Sequence, residues 1–235
     1  MPRMSTLGAS AQMAQHGERT ALRSLTLTVL PAATAIVLLA LSLLPLFLPP
    51  WVHFAMDTSG GSAWTDSPAI AHALSDRTIG ELLLGPATFA IAGPDGAALY
   101  TADEAAHLRD VRLVLYAFLA IALASALLVG WALMRRGQEP ATWHALARGG
   151  AILAVGLVVA GVVAALAFAT AFELFHRLLF PGGNWEFPVT SGLIRLYPYG
   201  FWQLSAAALG TLGITGGVLS WWLAHRRARA LEAAR

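Results

Sequence analysis

GGAILAVGLVVAGVVAALAFATAF, residues 149–172, runs for 24 residues without a charge or a proline. As a helix it rises about 36 Å at 1.5 Å per residue, more than the roughly 30 Å of a bilayer's hydrocarbon. It is apolar on every side rather than along one stripe, which suits lipid. Three further uncharged runs resemble it: Leu25–Leu48 with 24 residues, Leu113–Met134 with 22, and one contained in Leu196–Ala224. A soluble protein can bury one such helix. It cannot bury four in a chain of 235 residues. The fold class expected is an all-α membrane protein, a four-transmembrane-helix bundle with spans at 25–48, 111–134, 149–172 and 201–223.

Composition agrees. The chain is 57% hydrophobic and 12% charged, against roughly 45–50% and 25% in soluble domains, and its mean hydropathy is +0.64. There is no cysteine, which excludes disulfide scaffolds, zinc ribbons, iron–sulfur clusters and thiol chemistry. All 15 cationic side chains are arginines, balanced by 13 acids, and so small an excess implies no nucleic-acid partner. Their placement says more. Segments 1–24, 135–148 and 224–235 hold ten arginines against Glu18, Glu139 and Glu232, a net of +7. Segment 49–110 holds Arg77 and Arg109 against eight acids, a net of −6. The positive-inside rule then puts both termini and the 135–148 loop in the cytoplasm, with 49–110 and 173–200 outside. The first run is too long for a signal-peptide core and ends in Pro49-Pro50-Trp51 without a small-residue cleavage pattern, so it reads as a retained span behind a mobile Ser/Gln/Gly-rich tail.

No span carries an ionisable residue at mid-membrane, which argues against a pump, coupled transporter or voltage sensor. Small residues at Gly156/Ala160/Ala164, Ala206/Gly210 and Gly213/Gly217 have the spacing of close helix packing. Segment 49–110 is expected to fold as a small α+β cap over the outer helix ends. Val52–Met56 and Ala87–Ala92 are its candidate strands, Pro68–Leu84 a broken helix, and Gly93-Pro94-Asp95-Gly96 a turn. Thr101 followed by Glu104 is a capping-box pattern, predicting a helix that runs unbroken into the second span.

Of seven histidines, His16, His144 and His225 fall on the cytoplasmic side by this topology, and His53, His72, His107 and His176 outside. His107 lies six residues before the second apolar run and His176 four beyond the third, about 9 Å and about 6 Å above the hydrocarbon. That is the depth of a lipid's ester linkages. Each has a glutamate three residues earlier, Glu104 and Glu173, on the same helix face. Paired Glu-x-x-His motifs are half of a bundle dimetal site, but no other span supplies the remaining carboxylates, so the glutamates are expected to balance charge or orient the imidazoles, and no metal or other cofactor is expected.

Two stretches resemble one family. Glu104-Ala-Ala-His107-Leu-Arg-Asp110-Val111, preceded by Tyr100, is similar to the Glu-x-x-His-Leu-x-Asp-Val signature of the lipoprotein intramolecular transacylases, Lit, four-span proteins of the bacterial cell membrane. Phe175-His176-Arg-Leu-Leu-Phe180, Trp185, Leu193-Ile-Arg-Leu-Tyr-Pro198 and Phe201-Trp202 resemble its second signature. The resemblance implies four membrane helices under an extracellular cap, with His107 and His176 catalytic and Glu104 and Asp110 supporting. It implies transfer of the sn-2 acyl chain of a diacylglyceryl-modified cysteine to that cysteine's own α-amino group. The partners are then a lipidated lipoprotein substrate and membrane lipids. Where an acid is expected before the Leu-Ile-x-Leu element, this chain has Thr190-Ser191-Gly192.

The residue chemistry suits such a reaction. An α-amine near pKa ~8 needs only a modest base, which imidazole near ~6.5 supplies. With amine and ester on one substrate, confinement replaces an acyl-enzyme, and no Ser or Cys nucleophile is needed. Phe175, Trp185, Arg195, Tyr197 and Trp202 are the candidate substrate-binding residues. The alternatives are a non-enzymatic bundle whose cap binds lipid or a partner protein, and a metal-dependent lipid hydrolase.

Overall fold

The computed structural model describes residues 27–235. The tail expected at 1–24, with His16 and the arginines at 3, 19 and 23, lies outside the described residues. Helix α1 spans Leu27–Phe47, its last turn, Leu44–Phe47, wound as 3-10 helix. It is followed by α2 (Pro49–Ser59), α3 (Pro68–Leu83), α4 (Ala102–Arg136), α5 (Pro140–Leu179), α6 (Gly192–Leu196) and α7 (Tyr199–Ala233). Helices α1, α4, α5 and α7 are long and apolar enough to cross a membrane, and they fall on the four uncharged runs. The protein is an integral membrane protein with four spans.

The capping box forms as the sequence predicts. Thr101 Oγ1 accepts from the Glu104 N–H at 3.2 Å, while Glu104 Oε2 accepts from the Thr101 N–H at 2.9 Å. From there α4 continues unbroken for 35 residues. The bundle is tightest between α5 and α7, where a Cβ on Gly150 would lie 2.5 Å from the Gly217 carbonyl oxygen, and one on Gly217 2.6 Å from that of Gly150. Gly149 meets the Pro31 carbonyl of α1 just as closely. Of the expected packing glycines, Gly213 and Gly217 are therefore at a contact, whereas Gly156 and Gly210 face open space. Backbone-to-backbone approach between the spans thus occurs at Gly149, Gly150 and Gly217, while Gly213 meets the Leu157 side chain. At Ala167 the backbone of α5 leaves helical geometry (φ −151°, ψ 58°).

The cap corrects the sequence reading. Among the described residues there is no strand, only an isolated antiparallel bridge between Ala92 and Ala98. Val52–Met56 lies inside α2. Two prolines in its first turn preset helical φ, Val52, Ala55 and Met56 are buried at helical spacing, and Gly60 ends the helix at φ 83°. A five-residue apolar run cannot by itself distinguish strand from helix; the flanking prolines decide. The expected break in Pro68–Leu84 does not occur, since α3 passes through Gly80 without interruption. Ala87–Ala92 is irregular because Ala87 (φ 61°) and Phe89 (φ 51°) are left-handed. There the Glu81 carboxylate accepts from the N–H groups of Thr88 and Phe89, and the Phe89 ring is buried in the cap core.

That core gathers Val52, Met56, Leu74, Phe89, Leu108 and Leu196 from every cap element. Arg112 fastens it to the bundle. Its Nη1 donates to the carbonyls of Glu81 and Gly85 at the end of α3, and its Nη2 to Tyr116 Oη, which in turn donates to the Leu83 carbonyl. One guanidinium thus satisfies carbonyls that the end of a helix leaves without intrahelical partners.

Candidate active site

Two helices deliver the central residues. α4 starts at its capping box and presents His107 two turns in; α5 presents His176 in its last turn. Their rings meet with centroids 6.1 Å apart and planes inclined by 28°. Both are buried, His107 at 5% and His176 at 9% exposure.

Aromatic rings enclose the pair. Phe172 and Phe180 lie one turn before and after His176, with centroids 4.1 and 5.7 Å from its ring. Phe180 also meets His107 edge-on at 4.9 Å. From the loop between α5 and α6, Trp185 lies 5.0 Å from His176 and Phe187 5.6 Å from His107. Phe175 meets His176 edge-on at 5.3 Å and is half-exposed. Phe172, Phe180 and Phe187 are not among the substrate-binding residues expected from sequence, although the i±4 positions around His176 point to the first two.

The other candidates are arranged differently. Trp202 meets the edge of this cluster through Phe172, at 6.3 Å, and its Nε1 donates to the Tyr197 carbonyl. Tyr197 is a cap-core residue whose hydroxyl is hydrogen-bonded to Ser75 Oγ at 2.9 Å. Arg195 is exposed, with its guanidinium 5.5 Å from the Trp64 ring centroid. The structure brings neither Tyr197 nor Arg195 against the histidine pair.

The glutamates do not orient the histidines. Glu104, at 1% exposure, divides its carboxylate between the Thr101 N–H and the Leu193 N–H (2.9 Å), so one side chain ties the start of α4 to the start of α6. Glu173 points instead to Arg177, one turn on. The capping geometry overrides the i,i+3 proximity because a buried N–H without an acceptor is costly. Asp110 accepts from Asn184 Nδ2 at 2.8 Å, which anchors the loop that carries Trp185 and Phe187. At Thr190-Ser191-Gly192, Ser191 Oγ accepts from the Ile194 N–H and caps α6. An aspartate would do the same work there. A Cβ on Gly192 would lie 2.1 Å from the Leu99 carbonyl oxygen, so only glycine fits.

Electrostatics follow from this enclosure. Both histidines lie beyond the ends of the apolar runs. Burial lowers the pKa of His107 to about 4, with His176 nearby adding to the effect and Asp110 opposing it. Burial also lowers that of His176, opposed by its hydrogen bond to the Phe172 carbonyl. Because a carbonyl only accepts, the 2.8 Å contact puts the proton on His176 Nδ1 and leaves the Nε2 lone pair available. The Nδ1 of His107 is buried without a partner. The site therefore holds two neutral imidazoles, one with its tautomer fixed, in a water-poor aromatic enclosure at the end of two spans.

Residues 86–202 match the family described as Lit, lipoprotein intramolecular transacylase. An uncharacterized protein of Aquifex aeolicus (strain VF5) is 26% identical over 126 residues, 53% of this chain and 56% of that protein, so the match spans about half the length of that relative. Among solved structures, the membrane integral lipoprotein intramolecular transacylase Lit from Bacillus cereus aligns with a TM-score of 0.75 at 20% identity, over 92% of this chain and 100% of that one. A form of the same Bacillus cereus protein with one histidine replaced by arginine aligns at 0.71 and 18% identity, over 95% and 100%. At these identities the likeness is one of fold. With the match to the family itself, the chain belongs to the Lit family of membrane proteins.

Proposed function

We propose, with membership of the Lit family as the premise, that this protein is an intramolecular acyltransferase. It moves the sn-2 acyl chain of a diacylglyceryl-modified cysteine to the α-amino group of the same cysteine, leaving a lyso-form lipoprotein. The observation that carries this reading is the buried pairing of His107 with His176 at 6.1 Å, at the depth of lipid ester groups and without a bound carboxylate.

The substrate amine attacks the sn-2 ester carbonyl as His176 Nε2 removes its proton. His107 donates an N–H to the carbonyl oxygen as negative charge develops there. When the tetrahedral centre collapses, the carbon–oxygen bond to the glyceryl group breaks, and the proton held by His176 passes to the departing glyceryl oxygen. An amide has formed, an ester has been lost, and the enzyme is unchanged. A neutral imidazole suits both duties, and the lowered basicity of the pair keeps it neutral at physiological pH. The aromatic walls of Phe175, Trp185 and Trp202 confine amine and ester together, and effective molarity supplies much of the acceleration. Tyr197 and Arg195 act from outside that enclosure, Tyr197 by shaping the cap core.

The arginine distribution supports both termini in the cytoplasm and a cap outside the cell membrane, the side on which lipidated cysteines are displayed. The test expresses the chain in a host that makes diacylglyceryl lipoproteins but no lyso-form, and reads a reporter's N-terminal peptide by mass spectrometry. Wild type is expected to give an N-acylated, singly O-acylated cysteine, and His107→Ala and His176→Ala the unshifted diacyl form. An unshifted peptide with well-folded wild type overturns the proposal.

A further inference from the structure

Two of the four buried side-chain polar atoms without a hydrogen-bond partner among the described residues flank one turn at the end of the bundle opposite the cap. They are Arg136 Nη1, at the end of α4, and Thr142 Oγ1, in the first turn of α5. A guanidinium N–H held from water without an acceptor is costly, and the group that best supplies one is an anion.

The surroundings indicate which anion. On α4, Leu123, Leu127 and Trp131 follow one another at i, i+4 and i+8 and are all exposed, an apolar stripe along the membrane-facing helix. The stripe ends under Arg136, whose guanidinium carbon lies 5.7 Å from the Trp131 ring centroid. Five residues separate the two, about 7.5 Å along the axis, which carries the guanidinium from the aromatic belt to the headgroup zone. The same pairing recurs on α7, where Arg226 lies 4.8 Å over the Trp222 ring. Arg135, Arg148 and Arg227 are exposed at this end too. Among the described residues the carboxylates at this end are Glu139 and Glu232, and Glu232 is bonded to His144 at 2.9 Å. The first turn of the 40-residue α5 adds the positive end of a helix dipole.

We propose that this corner binds an anionic phospholipid, independently of the acyl-transfer site. Arg136 takes the diester phosphate beside the start of α5, Trp131 lies against the glycerol, and an acyl chain follows Leu127 and Leu123 towards mid-membrane. A soluble phosphate would use the cation but not the stripe.

The full chain is reconstituted in nanodiscs of equal phosphatidylglycerol and phosphatidylcholine and released for native mass spectrometry. Lipid adducts on wild type are expected to favour phosphatidylglycerol about fivefold, the equivalent of roughly 1 kcal/mol for one arginine near the membrane surface. Arg136→Gln is expected to bring the ratio near unity, and Arg77→Gln, in the cap, to leave it unchanged. Equal adducts on wild type overturn the proposal even if the Arg136 variant fails to fold. So does enrichment that survives in Arg136→Gln. Loss of the adducts on adding soluble glycerol phosphate overturns the lipid assignment in favour of a plain anion site; their persistence supports it.

Discussion

Two pairs of histidines meet at the cap end of this molecule, and they are built in opposite ways. His53 on α2 and His72 on α3 stack with centroids 4.1 Å apart and planes within 3° of parallel. Each gives its Nε2 to a carboxylate of the other helix, His53 to Asp76 at 2.9 Å and His72 to Asp57 at 2.8 Å. Both are partly exposed. Hydrogen bonds from Ser62 and His72 hold the Asp57 carboxyl below its ordinary range, so it stands as a charged anchor. His107 and His176 are instead buried among rings, 6.1 Å apart, and Glu104, Asp110 and Glu173 are each bonded to other groups. An imidazole tied to an acid through its nitrogen is a fastener. One kept away from acids and water is held neutral, with a nitrogen free for chemistry.

The strongest way to break this contrast is to delete each pair in turn. His107→Ala or His176→Ala is expected to slow acyl transfer by about 10²–10⁴-fold, read as the rate of N-acyl peptide formation, while thermal unfolding shows a folded protein. His53→Ala and His72→Ala are expected to leave that rate within about twofold. Equal losses from both pairs would erase the distinction.

Removing the carboxylate that belongs to neither pair comes next. Glu104→Ala strips acceptors from two N–H groups, those of Thr101 and Leu193. It is expected to cost about 2–3 kcal/mol of stability in detergent, most of it the penalty of unpaired buried donors. If Glu104 oriented His107 instead, the loss would appear in rate with little change in melting.

Acidity sharpens the contrast further. The His107 ring has its basicity lowered to about 4 in the fold, against 6.5 for an ordinary histidine. Its neutral state therefore contributes stability that is complete above about pH 6.5 and is lost as pH falls towards 4, because the unfolded chain binds the proton first. Wild type should melt at progressively lower temperature over that window, and His107→Gln with a shallower slope.

The smallest effect belongs to the fastener. His53 and Asp76 are partly exposed, so a double-mutant cycle of His53→Ala with Asp76→Ala is expected to give a coupling of about 0.2–1 kcal/mol, measured by thermal or denaturant unfolding. A larger coupling would mark that pair as more than a surface clasp between α2 and α3.

What is legible in the sequence divides along physical lines. Length and apolarity announce the four spans because the bilayer demands both. Thr101 and Glu104 announce a helix start because the capping box is local. His107 and His176 draw attention by their similar depth in the headgroup zone, a ruler that needs only topology. The cap departs from its sequence pattern where the signal is short: VHFAM suits either element, and the left-handed turns at Ala87 and Phe89 are held by Glu81 of α3. The His53–His72 cluster and the Arg112 clamp arise only when α3 folds back on its neighbours, across separations that no local pattern spans. Glu104 stands three residues before a histidine in the sequence, but its second partner, Leu193, lies 89 residues away.

The break at Ala167 has its own consequence. Below it, α5 is cemented to α1 and α7 by glycines that permit backbone-to-backbone contact; above it, nine residues lead to His176. An uninterrupted rod would transmit every tilt of the lower seam to the imidazole it carries. A rod fractured at this height uncouples foundation from tip, so the grip that joins α5 to α1 and α7 does not also dictate how far apart the two rings stand.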